Sequence, residues 1–383
     1  MHDRRSFLIG SAGAAALALA PRMAFARADT DRRFVFVIQR GAADGLHTVA
    51  PIGDPAYAGA RGQLAADFAT AKKLDSMFAL HPSMVQLAGL YDAKEALFAH
   101  AVASPYRDRS HFDGQNVLES GGAGAYSQKD GWLNRMLGLI PSGESKAIAV
   151  SATIPLALRG PHEVTSYAPS ALPQASDDLL MRVSALYQGD SQLHGLWSEA
   201  MDTRTLTSDL TDVSVKNAAA TGQLAARLLS PANGARIAMI ETGGWDTHAG
   251  QRGRLAAQLT GLDALIASLK AGMGPAWADT MVLVATEFGR TVAVNGTGGT
   301  DHGTASAAIL AGGAVKGGRV MADWPGLGQA ALYEGRDLKP TLGLDQFVAG
   351  AVAGHYGVEP GKAMAVLFPE TKGNAAVTGL SRA

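Results

Sequence analysis

The 383-residue chain contains no cysteine. No thiolate is available as nucleophile or metal ligand, and no disulfide can staple the fold. An excess of charge of one sign is lacking too. The 33 basic and 34 acidic residues leave a formal net charge of -1, and no polybasic run offers a footprint for nucleic acid or anionic lipid. Aromatic residues are sparse at 6%. No apolar run beyond the N-terminal one is long enough to span a bilayer, and that one is shorter than the roughly 20 residues a span needs. There is no internal repeat and no long low-complexity linker. What the chain has in quantity is glycine, at 46 residues, within a composition that is 47% hydrophobic. That describes a globular protein with a large core, tight loops and close backbone approaches.

The N-terminus carries the most specific address. In "DRRSFLIGSAGAAALALAPRMAFARA", Arg4 and Arg5 precede Phe7-Leu8 and an apolar run ending near Ala20. Small residues at Ala24, Ala26 and Ala28 offer an A-x-A cleavage site. The pattern is that of a twin-arginine export signal over residues 1–28. It predicts export by the twin-arginine machinery and a mature chain of residues 29–383, periplasmic or secreted, with no stable membrane span. An uncleaved anchor is the alternative. Twin-arginine export carries folded proteins, which suits a chain that loads a metal before crossing.

After the signal, continuous apolar runs alternate with helical patterns. Strands are expected at Phe34–Gln39, Ala96–Ser104, Lys146–Ser151, Arg236–Gly244, Thr280–Gly289 and Thr304–Gly313. Helices are expected at Ser83–Ala93, His111–Ser120, Trp132–Ile140, Asp178–Tyr187, Val213–Leu229, Gly250–Ala271 and Leu344–Tyr356. The alternation predicts an α/β fold, a doubly wound and mostly parallel sheet sandwiched by helices. Residues of about 155–229 hold little strand signal and are expected to form a helical cap.

In an open parallel sheet, ligands bind outside the carboxyl ends of the strands. The polar residues collect there. Asp44 follows the first strand and Ser110-His111 the second. Asp246 and His248 follow the Ile237 strand, and Glu287 and Arg290 the Met281 strand. Asp301 and His302 lie on the loop entering the next one. Two Asp/His pairs, "GGWDTH" and "GTDHG", offer the donor types that hold zinc, manganese or iron, while the oxygens alone also suit calcium or magnesium. The plain alternative for the first pair is that Asp246 or Thr247 caps a helix opening near Gly250. Ser110 is either an N-cap or a nucleophile deprotonated by a metal at a helix N-terminus, with Asp113 as a partial capping-box partner. Arg107, Arg109 and Arg290 are candidates to clamp an anion. His81 reads as packing or capping, His100 as a core residue, and His355 as a complement to a helix C-terminus. His47, close to Asp44, is expected to stand behind the ligands.

The twin-arginine start, "GAADGL", "RSHFDGQ", "GGWDTH" and "TEFGRT…GTDHG" together resemble the exported family catalogued as domain of unknown function 1501, over nearly all of the mature chain. That family is grouped with the alkaline phosphatase and sulfatase superfamily. The resemblance implies one or two divalent metal ions held by Asp and His beside a Ser, Thr or modified Cys nucleophile. It would assign Asp44 to the acid after the first strand, Ser110 to the nucleophile, and Asp246 and His248 to one metal. The last motif maps in two ways. By spelling, Asp301-His302 matches the superfamily's Asp-His-Gly. By topology, Glu287-Phe288 occupies that place and His302 matches a later histidine that completes the first metal site. The topological mapping is preferred. It leaves a second metal with Asp44, Ser110 and Glu287 only, a harder site for magnesium or calcium, or none. The sulfatase signature cysteine is absent.

The expected function is an exported metal-dependent hydrolase of phosphate or sulfate esters, using Ser110 or a metal-activated water, with His111 and Arg290 assisting. Its metal ligands are drawn from Asp44, Asp246, His248, Glu287, Asp301 and His302, and its substrate is a small anionic ester. The alternative is a non-catalytic, metal-stabilised binding protein that recognises an envelope glycan. A dinucleotide enzyme has little support, since no G-x-G-x-x-G joins a strand to a helix.

Overall fold

The computed structural model describes residues 30–140, 147–168, 177–190, 193–198, 200–201, 217–232, 234–371 and 373–382. The expected export signal, residues 1–28, and most of residues 169–216 lie outside them. No helix among the described residues is long and apolar enough to cross a membrane.

The protein is a mixed α/β fold with a mostly parallel central sheet flanked by helices. Its strands in chain order are β1 (Arg33–Gln39), β2 (Ala96–Ala103), β3 (Ala147–Val150), β4 (Thr165–Ser166), β5 (Ile237–Thr242), β6 (Thr280–Thr286), β7 (Ser306–Ala311), β8 (Arg319–Met321) and β9 (Leu342–Gly343). They lie side by side as β8-β2-β7-β6-β1-β5-β3-β4, with β9 also on β2. Only β7 runs against its neighbours. The chain leaves β6 at its carboxyl end and re-enters the sheet from that same edge, so β7 must run back.

β1 is central and fully buried, which is why "RFVFVIQ" shows almost no polar alternation. Period two still sorts its side chains. Val35 and Val37 pack with α5 (Ala218–Leu229) and α6 (Gln251–Met273) on one face. Phe34, Phe36 and Ile38 pack with α3 (Trp132–Leu137), α7 (Leu344–Tyr356) and α8 (Pro360–Leu367) on the other. α6 buries Leu255, Leu259, Leu262, Ile266, Leu269 and Met273, the three-and-four spacing of a helix laid on a sheet. α1 (Val85–Asp92) lies beside it, and α2 (His111–Ser120) opens at the rim.

Much of the expected helical cap, about 155–229, lies outside the described residues. Of its described part, Thr165–Ser166 extends the sheet, Ala218–Leu229 belongs to a sheet-covering layer, and α4 spans Asp177–Tyr187. β4, β8 and β9 are short edge pieces of two or three residues, below the length at which alternation shows.

Two histidines are locked in this core. His100 donates from Nε2 to the Val49 carbonyl at 2.9 Å, and His355 to the Arg33 carbonyl at 3.0 Å. Burial pushes their pKa values down to about 4 and about 3. His355 is thus a neutral core group rather than a charge set against the end of α7. An unfolded imidazole titrates near 6.5. Between that value and 3–4 the unfolded chain binds more protons than the folded one, so stability falls as pH falls through this window. Melting temperature is expected to drop steadily from pH 6.5 to 4.5, before most carboxylates titrate. A flat profile there would contradict buried neutral imidazoles.

Candidate metal centre

Four strand ends deliver the site. Asp246 and His248 follow β5, Glu287 and Arg290 follow β6, His111 begins α2 after β2, and Asp301-His302 lead into β7. Two glycines make the last approach feasible. A Cβ on Gly289 would sit 1.8 Å from the Ala305 carbonyl oxygen, and one on Gly303 would sit 2.4 Å from the Arg290 backbone. The Arg290–His302 backbone bridge needs both.

Asp246 is the hub. Its Oδ1 lies 2.9 Å from His248 Nε2 and 3.3 Å from His302 Nε2, and Oδ2 lies 3.5 Å from His111 Nε2. It does not cap α6, whose N-cap is Gly250 with no side-chain bond. Arg290 donates from Nη1 to Asp246 Oδ1 at 2.6 Å and is otherwise anchored on Thr300. Partial burial pushes the Asp246 pKa up, but the Arg290 bond and charge outweigh it and keep the carboxylate ionised.

Each imidazole has its Nδ1 tied down. His111 Nδ1 is 2.8 Å from Glu287 Oε1, His248 Nδ1 is 3.1 Å from Asp301 Oδ1, and His302 Nδ1 is 2.9 Å from the Arg109 carbonyl. Carboxylates and carbonyls only accept, so all three rings carry the proton on Nδ1. Their Nε2 lone pairs therefore face inward. His248 Nε2 and His302 Nε2 stand 3.0 Å apart, and His111 Nε2 is buried with no hydrogen-bond partner. Lone pairs directed at one another beside a carboxylate repel unless a proton or cation sits among them. His111, Asp246 and His302 present ligand atoms within 4.8 Å of one another, a group able to hold a metal. Imidazoles oriented by an outer acceptor are the usual metal-ligand arrangement.

The pKa directions differ between the rings, and the raised His111 value favours a proton on Nε2 where no cation takes its place. The Glu287 hydrogen bond raises the His111 pKa. Burial, and then the nearby His111, lower that of His302. The Asn295 and His248 hydrogen bonds hold Asp301 down.

Not every expected residue reaches the group. Glu287 is fully buried, and its Oε1 accepts from Gly41 N, His111 Nδ1 and Gln115 Nε2 at 2.8–3.1 Å. Burial raises its pKa, but those bonds, His111's first, lower it further. It orients His111 and stands behind the ligands. Asp301 does the same for His248. Asp44 points elsewhere, paired with buried Arg61 and accepting from Gln251 Nε2 at 2.6 Å and His47 N at 3.1 Å. A relay through Gln251, Thr300 and Arg290 links it to Asp246. Ser110 precedes α2 without capping it by side chain. His111 joins the metal group. Its carboxylate partner, Glu287, lies 176 positions away, so local spacing points to a catalytic assistant and does not reveal the pairing.

A second group, His47, Asp67 and His81, has similar composition and opposite polarity. Gln251 Nε2 faces His47 Nδ1 at 3.3 Å, and Ser83 N donates to His81 Nδ1 at 3.1 Å. Both rings then carry their proton on Nε2. His47 directs it to Asp67 at 3.2 Å. In this hydrogen-bond pattern protons rather than imidazole lone pairs converge, which leaves Asp67 as the one ready donor and makes the group a poorer metal site than the first. Burial pushes the His47 pKa down to about 4.

Fold and site together define a mixed α/β protein with a cation-competent Asp/His group at the carboxyl rim of its sheet. Residues 31–365 match the family described as Protein of unknown function (DUF1501), and the chain belongs to that family. No curated protein matches it in sequence. Among solved structures, the crystal structure of Ps i-CgsB in complex with k-i-k-neocarrahexaose is similar over 86% of this chain and 73% of its own. Identity is 8% and the TM-score 0.38.

Proposed function

We propose that this chain is an exported, metal-dependent hydrolase of phosphate or sulfate esters, related in arrangement to the alkaline phosphatase and sulfatase group. The observation that carries the reading is the inward convergence of three Nε2 lone pairs on an ionised Asp246. A divalent cation bound there would polarise an ester oxygen and lower the pKa of a hydroxyl or water. His302 at the entry to β7, beside Asp246 and His248, supports the topological mapping. Neither three-residue group includes Asp44 or Glu287, which favours one metal over two.

The chain's own residues then divide the work. Arg290 keeps Asp246 ionised and in place. Glu287, Asp301 and the Arg109 carbonyl hold the three Nδ1 protons. Arg107 donates to the Tyr106 carbonyl at 2.8 Å and to that of Ser104, and has no carboxylate partner among the described residues, which leaves it suited to an anionic ester. Ser110, free of capping duty and one residue from His111, is the nucleophile. Its hydroxyl gives up its proton to solvent as Oγ bonds to phosphorus or sulfur; the ester bond breaks, the alcohol leaves with a proton from solvent, and water then displaces Oγ, releasing the inorganic anion and returning a proton to the serine.

The test is turnover of aryl phosphates, phosphodiesters and aryl sulfates by zinc- or manganese-loaded protein, with and without chelator. Ser110→Ala is expected to lower kcat by at least about 1,000-fold. Retention within ten-fold would move the nucleophile to water. A metal-loaded wild type inert on every ester would remove the hydrolase reading. One observation favours a second reading, a metal-stabilised binding protein. Asp246 and three imidazoles would fill four positions, and filled tetrahedral sites are structural. That reading expects chelation to lower the melting temperature while no ester is turned over.

A further inference from the structure

The surface at α2 and the loop after it carries two exposed aromatic rings. Phe112 follows the ligand His111 in the first turn of α2, yet is 83% exposed. Tyr126 is 66% exposed and sits at φ 61°, a left-handed conformation that costs a non-glycine residue of order 1 kcal/mol or more. That conformation is held in place. Asn116 Oδ1 accepts from the Tyr126 amide at 2.7 Å, and the nearby Asp113 carboxylate pushes the Tyr126 pKa up. Residues 112 and 116 are one helical turn apart, so the Tyr126 amide is tied to the face of α2 that carries Phe112.

We propose that Phe112 and Tyr126 form a stacking platform for a saccharide ring, with Asp113 and Asn116 at its edge receiving ring hydroxyls, so that the ester presented to the metal group is borne on a sugar. Aromatic faces take the C–H side of a pyranose, while a carboxylate and an amide beside them suit its hydroxyls better than an apolar partner would. Size argues the same way. Two such rings present a few hundred Å² at most, well short of the roughly 800 Å² per partner of a stable protein interface. The platform rests on the hydrolase reading only for the ester, because binding is measured without turnover.

The experiment titrates the mature, zinc-loaded chain by calorimetry with a neutral hexasaccharide, its sulfated counterpart and a small aryl sulfate. Phe112→Ala and Tyr126→Ala are expected to weaken both saccharides by at least about five-fold and the aryl sulfate less. Phe112→Trp should restore affinity, with zinc content and melting temperature unchanged throughout. Saccharide affinity unaltered in both alanine variants would overturn the proposal. So would a wild type that binds neither saccharide, including one whose Phe112 instead drives self-association or vesicle binding. Phe112-dependent saccharide binding without hydrolysis of any ester would leave the platform standing and remove the hydrolase. Hydrolysis of aryl esters without saccharide binding would do the reverse.

Discussion

Asparagine at position 246 is expected to cost the chain its zinc. Asp246 is the one group that meets all three imidazole Nε2 atoms, and it supplies the only negative charge among them. An amide oxygen is a poor substitute. Replacing residues that merely orient ligands costs 10–100-fold in metal affinity, so loss of the ligand charge itself is expected to exceed about 100-fold. Folding should survive, because the asparagine Oδ1 can still accept from Arg290. The pair is also exposed on the Asp246 side, which limits the loss in metal-free stability to about 1 kcal/mol. Equilibrium dialysis with elemental analysis reads the affinity, and melting curves with and without zinc read the linkage. Wild type gains about 2.7 kcal/mol at 100 times its Kd, whereas Asp246→Asn should gain almost none. Wild-type zinc affinity in the variant would mean that the cation is held elsewhere.

The rim of the site was legible for a physical reason. Buried parallel strands read as unbroken apolar runs, and their carboxyl ends then name the loops where ligands gather. The fold, and with it the neighbourhood of Asp246, His248, His302 and His111, follows from that. The antiparallel turn into β7, which brings His302 to the same edge, follows from a loop that leaves and re-enters at one side. Which polar atom each carboxylate meets does not follow. Glu287 and Asp246 sit on adjacent loops with the same chemistry, yet one is buried beneath the Gly41 amide and Gln115 while the other faces open space. His47 and His248 likewise differ in proton position only because Gln251 donates to one and Asp301 accepts from the other. Those are facts of side-chain placement, and no pattern of apolar spacing carries them.

Asp44 is where this distinction has its largest energetic consequence. Its carboxylate was expected at the metal. Instead it is 1% exposed and pairs with Arg61, which is completely buried and also donates to the carbonyls of Thr291 and Val292 at 3.1 and 3.2 Å. Burial alone would raise the Asp44 pKa, but Arg61, and after it His47, outweigh that and hold it below the usual range. Its contribution to stability is therefore present above the unfolded carboxylate pKa and lost as pH falls through the lower, folded one. Asp44→Ala would strand a guanidinium in the core and free the Gln251 amide, so the variant is expected to lose roughly 3–5 kcal/mol. Asp44→Asn, which still accepts a hydrogen bond from Arg61, should lose less. The double variant Asp44→Ala/Arg61→Leu should recover part of the loss, because no buried charge is left without a partner. Urea unfolding of the metal-free proteins at pH 7 measures all three. At temperatures where the variants remain folded, zinc affinity should stay within about ten-fold of wild type, because the carboxylate meets none of the three imidazole Nε2 atoms. If zinc affinity instead falls with Asp44→Asn while unfolding is unchanged, the carboxylate belongs to the metal after all, and the ion pair with Arg61 is not what holds it.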